Sequence, residues 1–266
     1  MKHRPPISLT NVDRSLPADV ELEVSKLRTT FADEWAHFYI DNQKFRCFSD
    51  AKTISALAGD RPILNIGGAP YLFEVIFLGL GGRVVSVDLD VERHAKVIAE
   101  LELDVIPIDI EDSEQRERLD LSPFDLVCMC EIFEHMRIDL IGMLKYIFAS
   151  MRPRSKLYVT TPNFFYLPNV ATRLWGGRSG PHLVGEWGKL ARLGHMGHVR
   201  EYSAREVREI FEHVGFTTQQ ITYRNSYEIE FAARSRRTQL AVRAMKRLAM
   251  ARPGLAQEMV FLFEKP

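Results

Sequence analysis

A doubly wound α/β sheet of seven strands, mostly parallel, with an antiparallel C-terminal edge and an N-terminal helical cap, is the fold the sequence predicts. One observation is a rhythm that starts at Arg61. Short apolar, β-branched runs recur at residues 62–68 (Pro-Ile-Leu-Asn-Ile-Gly-Gly), 83–88, 104–109, 124–130 and 156–161, separated by stretches with helical spacing. Buried parallel strands joined by crossover helices have this signature. A second observation is the change of texture before it: residues 1–60 are polar and then helical in period from Glu21 to Leu57, with aromatics at Trp35, Phe38, Tyr39, Phe45 and Phe48. A third lies at the other end, where runs at Thr217–Arg224 and Glu258–Phe263 have no ordinary crossover between them and so predict an antiparallel edge pair. Residues 1–60 are thus read as the cap and 61–266 as the main domain. Within the latter, a Gly/Pro/Trp-rich loop covers about 163–198 and a basic helical insertion about 232–252.

Composition narrows the function classes. A chain of 266 residues with 46% hydrophobic positions buries one substantial core. Thirty-five basic side chains balance thirty-five acidic ones, so no overall field draws the protein to nucleic acid or membrane. The three cysteines, Cys47, Cys128 and Cys130, are odd in number and read as reduced, buried small hydrophobes. The basic start Met-Lys-His-Arg has no apolar run behind it and no window reaches the length of a membrane span, so a cytoplasmic location is expected.

Ligands of doubly wound sheets bind at the carboxyl ends of the strands. At the first such end stands Asn65-Ile66-Gly67-Gly68-Ala69-Pro70-Tyr71, where glycines permit a sharp turn and a close backbone approach. Asp88 closes the second strand and is placed to accept from both hydroxyls of a ribose, which points to an adenosine-type cofactor. The plainer alternative is a tight turn with Asp88 as a helix cap. After the fourth run come Glu131, Glu134 and His135. If that segment is helical, spacings of three and four put all three on one face, and His198 in the later loop offers a second imidazole.

A nicotinamide site fits poorly, since the later glycines of its fingerprint are replaced by Ala69 and Leu72. Residues 60–225 instead resemble the class I S-adenosylmethionine-dependent methyltransferases. The resemblance rests on Ile63 to Tyr71, Asp88, Ile108-Asp109-Ile110-Glu111-Asp112, Phe124 to His135, Met151-Arg152-Pro153, Thr161-Pro162-Asn163, and His198 to Ser203 followed by Gly215-Phe216. It implies a Rossmann-like methyltransferase fold, with S-adenosylmethionine against Asn65, Gly67, Gly68, Ala69, Asp88, Leu89, Asp109, Ile110 and Cys130. Three departures stand out. Asn65 replaces the family's acid, Ala69 and Tyr71 replace glycines, and Pro153-Arg154-Ser155 lacks the second and third positions of Pro-Gly-Gly.

The Glu-x-x-Glu-His pattern with a later histidine is similar to metal-dependent O-methyltransferases, including those of ubiquinone biosynthesis and of small-RNA 2′-O-methylation. That similarity implies Mg2+ or another divalent metal on Glu131, Glu134, His135 and His198, with His135, His198 and Glu131 as catalytic groups. The expected activity is O-methyl transfer to a small-molecule or saccharide hydroxyl. An RNA 2′-O-methyltransferase and a non-catalytic methyltransferase-like binding module are the alternatives; the first wants a basic surface near the site, which is not evident. His195 reads as a loop residue shaping the pocket, and Tyr166, Trp175 and Trp187 as either acceptor-stacking or core aromatics. The basic run with Arg234, Arg236, Arg237, Arg243, Lys246 and Arg247 suits either a peripheral contact with anionic membrane or a solvated outer face.

Overall fold

The computed structural model describes residues 5–32, 34–176, 184, 188, 197–226, 240, 244, 247–248 and 251–266. Its strands are β1 (Ile7–Asn11), β2 (Ile63–Ile66), β3 (Val84–Asp88), β4 (Val105–Pro107), β5 (Leu126–Cys130), β6 (Lys156–Pro162), β7 (Thr217–Asn225) and β8 (Glu258–Glu264). The helices are α1 (Ala18–Thr30), α2 (Glu34–Ala58), α3 (Leu72–Gly79), α4 (Ala95–Glu100), α5 (Ser113–Arg116), α6 (Leu140–Ser150), α7 (Leu167–Gly176) and α8 (Ala204–Val214). The strands form one sheet in the order β1-β7-β8-β6-β5-β2-β3-β4. All pairings are parallel except those of β8 with β6 and β7.

Two expectations change here. The sheet has eight strands, not seven, because Ile7–Asn11 pairs in parallel with Ile221–Asn225. The first sixty residues therefore supply a strand as well as the two helices. The antiparallel strand is also not at the edge: β8 is inserted between β6 and β7, and β1 covers the margin. A five-residue strand with only two of its side chains sheltered carries too short an apolar signal to stand out in the sequence.

Alternation along the central strands feeds two cores. Leu64, Ile66, Val127, Met129, Leu157 and Val159 face one side, with Met143, Leu144 and Ile147 of α6 and Val207 and Phe211 of α8. Ile63, Leu126, Cys128 and Tyr158 face the other, with Leu27 of α1, Ile40, Ala51 and Ile54 of α2 and Ile76 and Phe77 of α3. Burial on both faces explains the nearly continuous apolar runs. Helix α8 starts with a capping box, Ser203 and Glu206 exchanging side-chain and backbone bonds, and stops at Gly215 (φ 124°). Among the described residues, no helix is long and apolar enough to cross a membrane. Parallel pairing of β2 to β6 brings the ends at Gly67, Asp88, Asp109, Glu131 and Pro162 to one edge of the sheet, where the cavity lies.

Candidate active site

Above these carboxyl ends is a cavity of about 340 Å³. Its floor is the turn after β2. Gly67 has φ 79°, and a Cβ there would overlap the side chain of Ile132, so glycine is required for both conformation and space. At Gly68 the constraint is space alone, since a Cβ there would meet Glu74 Oε1 and the Tyr71 ring. Asp88, 8% exposed, accepts from the Ala69 backbone N–H at 2.9 Å and from Asp90 N at 3.2 Å. Its carboxylate pins the glycine turn and keeps further lone pairs for a ligand.

Every residue expected to contact the cofactor lines this cavity: Asn65, Gly67, Gly68, Ala69, Asp88, Leu89, Asp109, Ile110 and Cys130. Asp109 shapes its own loop by accepting from Glu111 N at 2.9 Å. Glu111 accepts from the N–H groups of Arg137 and Ile138 at 2.5 and 2.7 Å, tying the β4 loop to the segment after β5.

That segment is not the α-helix the three-and-four spacing predicts. Glu131 has a positive φ of 59°, and only a single 3₁₀ turn, Phe133–His135, follows. Glu131 N still makes the last ladder bond, to Thr160 O at 3.0 Å, and reaches Thr160 Oγ1 at 3.1 Å; the chain turns away at Glu131 itself. A non-glycine residue in the left-handed region is a local strain of the kind that gathers at functional sites. As a result Glu131 and Glu134 diverge. Glu131 accepts from the Thr160 hydroxyl at 3.2 Å, whereas the fully buried Glu134 takes the Thr161 hydroxyl on Oε2 at 2.9 Å.

Glu134 Oε1 has no hydrogen-bond partner. It lies 3.9 Å from His135 Nε2 and 3.8 Å from His198 Nε2, with the two rings edge to face at 5.0 Å. Among the described residues these three side chains form the one group of potential metal ligands, all donor atoms within 4.8 Å of one another. Glu131 does not join them, which corrects the four-residue set. His198 is carried to the site by backbone: Val199 N and Arg200 N both donate to Glu134 O, at 2.8 and 3.2 Å. Burial pushes the Glu131 carboxyl well above the ordinary carboxylate range, with Glu134 adding to the shift. Burial also raises Glu134, partly offset by His198.

Helix α2 contributes residues that the sequence reading passed over. Trp35, Tyr39, Arg46 and Cys47 line the cavity. Arg46, 2% exposed, donates from Nε to Gln43 Oε1 at 2.8 Å and from a terminal nitrogen to Tyr39 Oη at 3.2 Å. The signal was there: Gln43, Arg46 and Asp50 sit on the same helical stripe as buried Ile40, Cys47 and Ile54, and a charge on a core stripe needs a reason. Asp50 belongs to a buried ion cluster with Arg224, which pairs with Glu258 through two 2.7 Å bonds.

Tyr166 is 4% exposed and packs in the interior. The side chain of Trp175, and His195, Trp187, Arg234, Arg236, Arg237, Arg243 and Lys246, lie outside the described residues, as does most of the loop after 176; Arg247 is exposed.

Comparison with known proteins agrees with this architecture. A family model described as a methyltransferase domain matches residues 18–221. Solved structures with the same fold include an S-adenosylmethionine-dependent methyltransferase from Archaeoglobus fulgidus (17% identity, TM-score 0.58, 88% of this chain and 100% of that one). Another is the N-methyltransferase NodS from Bradyrhizobium japonicum in complex with S-adenosyl-L-homocysteine (12%, 0.52, 92% and 98%). A third is an S-adenosylmethionine-dependent methyltransferase from Thermotoga maritima (13%, 0.55, 91% and 100%). No curated protein matches the chain. With the family model spanning strands β2 to β6, the glycine turn and the cavity alike, the chain belongs to the methyltransferase domain family and is a class I S-adenosylmethionine-dependent methyltransferase.

Proposed function

We propose that this enzyme methylates a hydroxyl oxygen of a small-molecule or saccharide acceptor, and that a divalent metal bound by Glu134, His135 and His198 takes part. The observation that carries the reading is Glu134 Oε1, buried without a hydrogen bond and facing two imidazole nitrogens at 3.9 and 3.8 Å. A buried acceptor left so costs about 1–3 kcal/mol unless something else satisfies it. One carboxylate oxygen with two imidazoles suits manganese, zinc or iron better than magnesium, which prefers oxygen ligands.

S-adenosylmethionine supplies a methyl group on a positively charged sulfur. A divalent ion on these ligands supplies a Lewis acid that lowers the pKa of a hydroxyl. The chain's own residues do the rest. Asp88 and the Gly67 turn hold the ribose, and Asp109 and Ile110 frame the base. Arg46 presents a buried guanidinium suited to a carboxylate at the amino-acid end of the cofactor. Glu131, biased by burial towards its neutral form, is a poor metal ligand and a good hydrogen-bond donor to an acceptor oxygen. The apolar walls from Ile66, Leu72, Phe73 and Ile132 exclude water from the in-line displacement.

The test is calorimetry of metal-stripped protein with Mn2+ or Zn2+, followed by a product-mass screen of hydroxyl acceptors with and without chelator. Metal binding lost in Glu134→Ala, together with chelator-sensitive gain of one methyl on oxygen, is expected. Methylation on nitrogen, or undiminished methylation under chelation, would overturn it; the latter leaves His135 or His198 as a simple base.

A further inference from the structure

His198 has two ring nitrogens with different surroundings. Nε2 faces Glu134 Oε1 at 3.8 Å, and Nδ1 faces Glu201 Oε1 at 3.6 Å. Glu201 is not a loose surface acid. Its carboxylate is paired with Arg173 of α7, and Arg173 in turn donates to Phe164 O and lies over the Phe164 ring at 4.0 Å. The Glu201 and Arg173 side chains are only 10% and 14% exposed. The backbone between His198 and Glu201 is fixed independently, through the bonds of Val199 N and Arg200 N to Glu134 O and of Phe164 N to Tyr202 O at 3.0 Å. The Arg173 pair therefore does not shape the loop; it aims one carboxylate at one imidazole.

We propose that Glu201 is a positioning residue that holds His198 in the tautomer with its proton on Nδ1, leaving the Nε2 lone pair directed at Glu134. A neutral imidazole in water favours the proton on Nε2, which would close that nitrogen to a metal or to an incoming proton. A carboxylate accepts only, so the nitrogen facing a clamped carboxylate carries the hydrogen. The separation of 3.6 Å is longer than a good hydrogen bond and within ion-pair reach. Glu134 is the competing carboxylate, but one of its oxygens is engaged by the Thr161 hydroxyl, and among the described residues no arginine or lysine is paired with it as Arg173 is with Glu201. For its functional consequence the proposal rests on the metal reading above; for the tautomer itself it does not.

Two measurements separate the ideas. Long-range ¹H–¹⁵N spectra of the imidazoles, taken at a pH of about 8.5, roughly two units above the ordinary histidine pKa, should show His198 protonated on Nδ1 in the wild type. Glu201→Gln should move it to Nε2, while Glu134→Gln should not. A wild-type His198 protonated on Nε2 overturns the proposal without any variant, and so does an unchanged tautomer in Glu201→Gln. Calorimetry with Mn2+ alone should then show Glu201→Gln binding about 10–100-fold more weakly, with S-adenosylhomocysteine affinity unchanged. Equal Mn2+ affinity in wild type and Glu201→Gln overturns the positioning role. A wild type that binds neither Mn2+ nor Zn2+ refutes the metal reading and leaves the tautomer spectra to decide this one.

Discussion

Asp88→Ala is the most direct perturbation of the cofactor site. Its carboxylate closes β3 at the cavity edge and already receives two backbone N–H groups, at 2.9 and 3.2 Å. Two ribose hydroxyls donating to the same charged group lose about 1.5–3 kcal/mol each on its removal. Because water replaces part of this at a cavity mouth, the lower figure is the better guide, giving about 3 kcal/mol in total. Release of the Ala69 tether adds about 1 kcal/mol by loosening the turn. At 1.4 kcal/mol per decade the dissociation constant should rise between roughly 100- and 1,000-fold. Calorimetry with S-adenosylhomocysteine reads this, with the melting temperature as a control for folding. Asp88→Asn, which keeps one acceptor oxygen, should fall between. A folded Asp88→Ala protein binding within about threefold of wild type, well under 1 kcal/mol, would show that Asp88 serves the turn and not the ligand.

Other predictions follow from the buried charges. Arg46→Ala should weaken S-adenosylhomocysteine by at least about tenfold through the loss of a charged hydrogen bond, while methylthioadenosine, which has no carboxylate, binds both proteins alike; equal losses for the two ligands would refute a carboxylate contact. Arg224→Met removes the guanidinium shared by Asp50 and Glu258, 0% and 1% exposed, leaving Asp50 with Arg46 at 3.6 Å and the Tyr158 hydroxyl, and Glu258, among the described residues, with the Ser226 hydroxyl alone. It should cost about 3–5 kcal/mol in chemical denaturation, and a loss under 1 kcal/mol would mean that the cluster has been overvalued. Burial pushes the Glu74 carboxyl up to about 7 against an ordinary 4.5. The folded state then holds a proton that the unfolded state releases, so stability is full below the lower value and declines by up to about 3 kcal/mol as pH rises between the two. Glu74→Gln should flatten that decline in pH-dependent melting, and an unchanged slope would place the titration elsewhere.

The parallel core was legible because its strands are buried on both faces and read as unbroken apolar runs; β2, β3, β5 and β6 fall where the pattern puts them. Strand β1 was not, since its edge position asks nothing distinctive of its side chains. Glu134, His135 and His198 were found because ligand chemistry restricts residue types. Their arrangement was misread because the spacing rule assumes a helix, whereas Glu131 turns in the left-handed region and only a 3₁₀ turn follows it. Arg46 and Glu201 were missed for different reasons. Arg46 carried a signal in the spacing, a charge on a buried helical stripe beside Gln43 and Asp50, that went unused. Glu201 is marked only by burial beside Arg173, a partner far along the chain, and spacing carries no trace of that.

The departures from the family's first motif illustrate the same point at the cofactor turn. Asn65 stands where an acid is expected, yet a carboxylate is present there: Glu74, from the first turn of α3, reaches back so that Oε1 accepts from Asn65 Nδ2 and from Ser86 Oγ, each at 2.7 Å. Its other oxygen has no hydrogen-bond partner, which is why burial dominates its titration. An acid nine residues along the chain is thus bonded to Asn65 from behind, although only Asn65 lines the cavity. Ala69 needs no glycine freedom, because its task is to donate its N–H to Asp88. Tyr71 adopts the left-handed φ of 66° that a glycine would take, at a cost of about 1–2 kcal/mol, with its ring fully buried and edge-on to His94 at 5.7 Å. Each substitution that made the motif look degenerate thus has a local physical partner. Together they keep the glycine turn in shape at the cavity edge, and the Asp88→Ala calorimetry above reads whether that turn holds a cofactor.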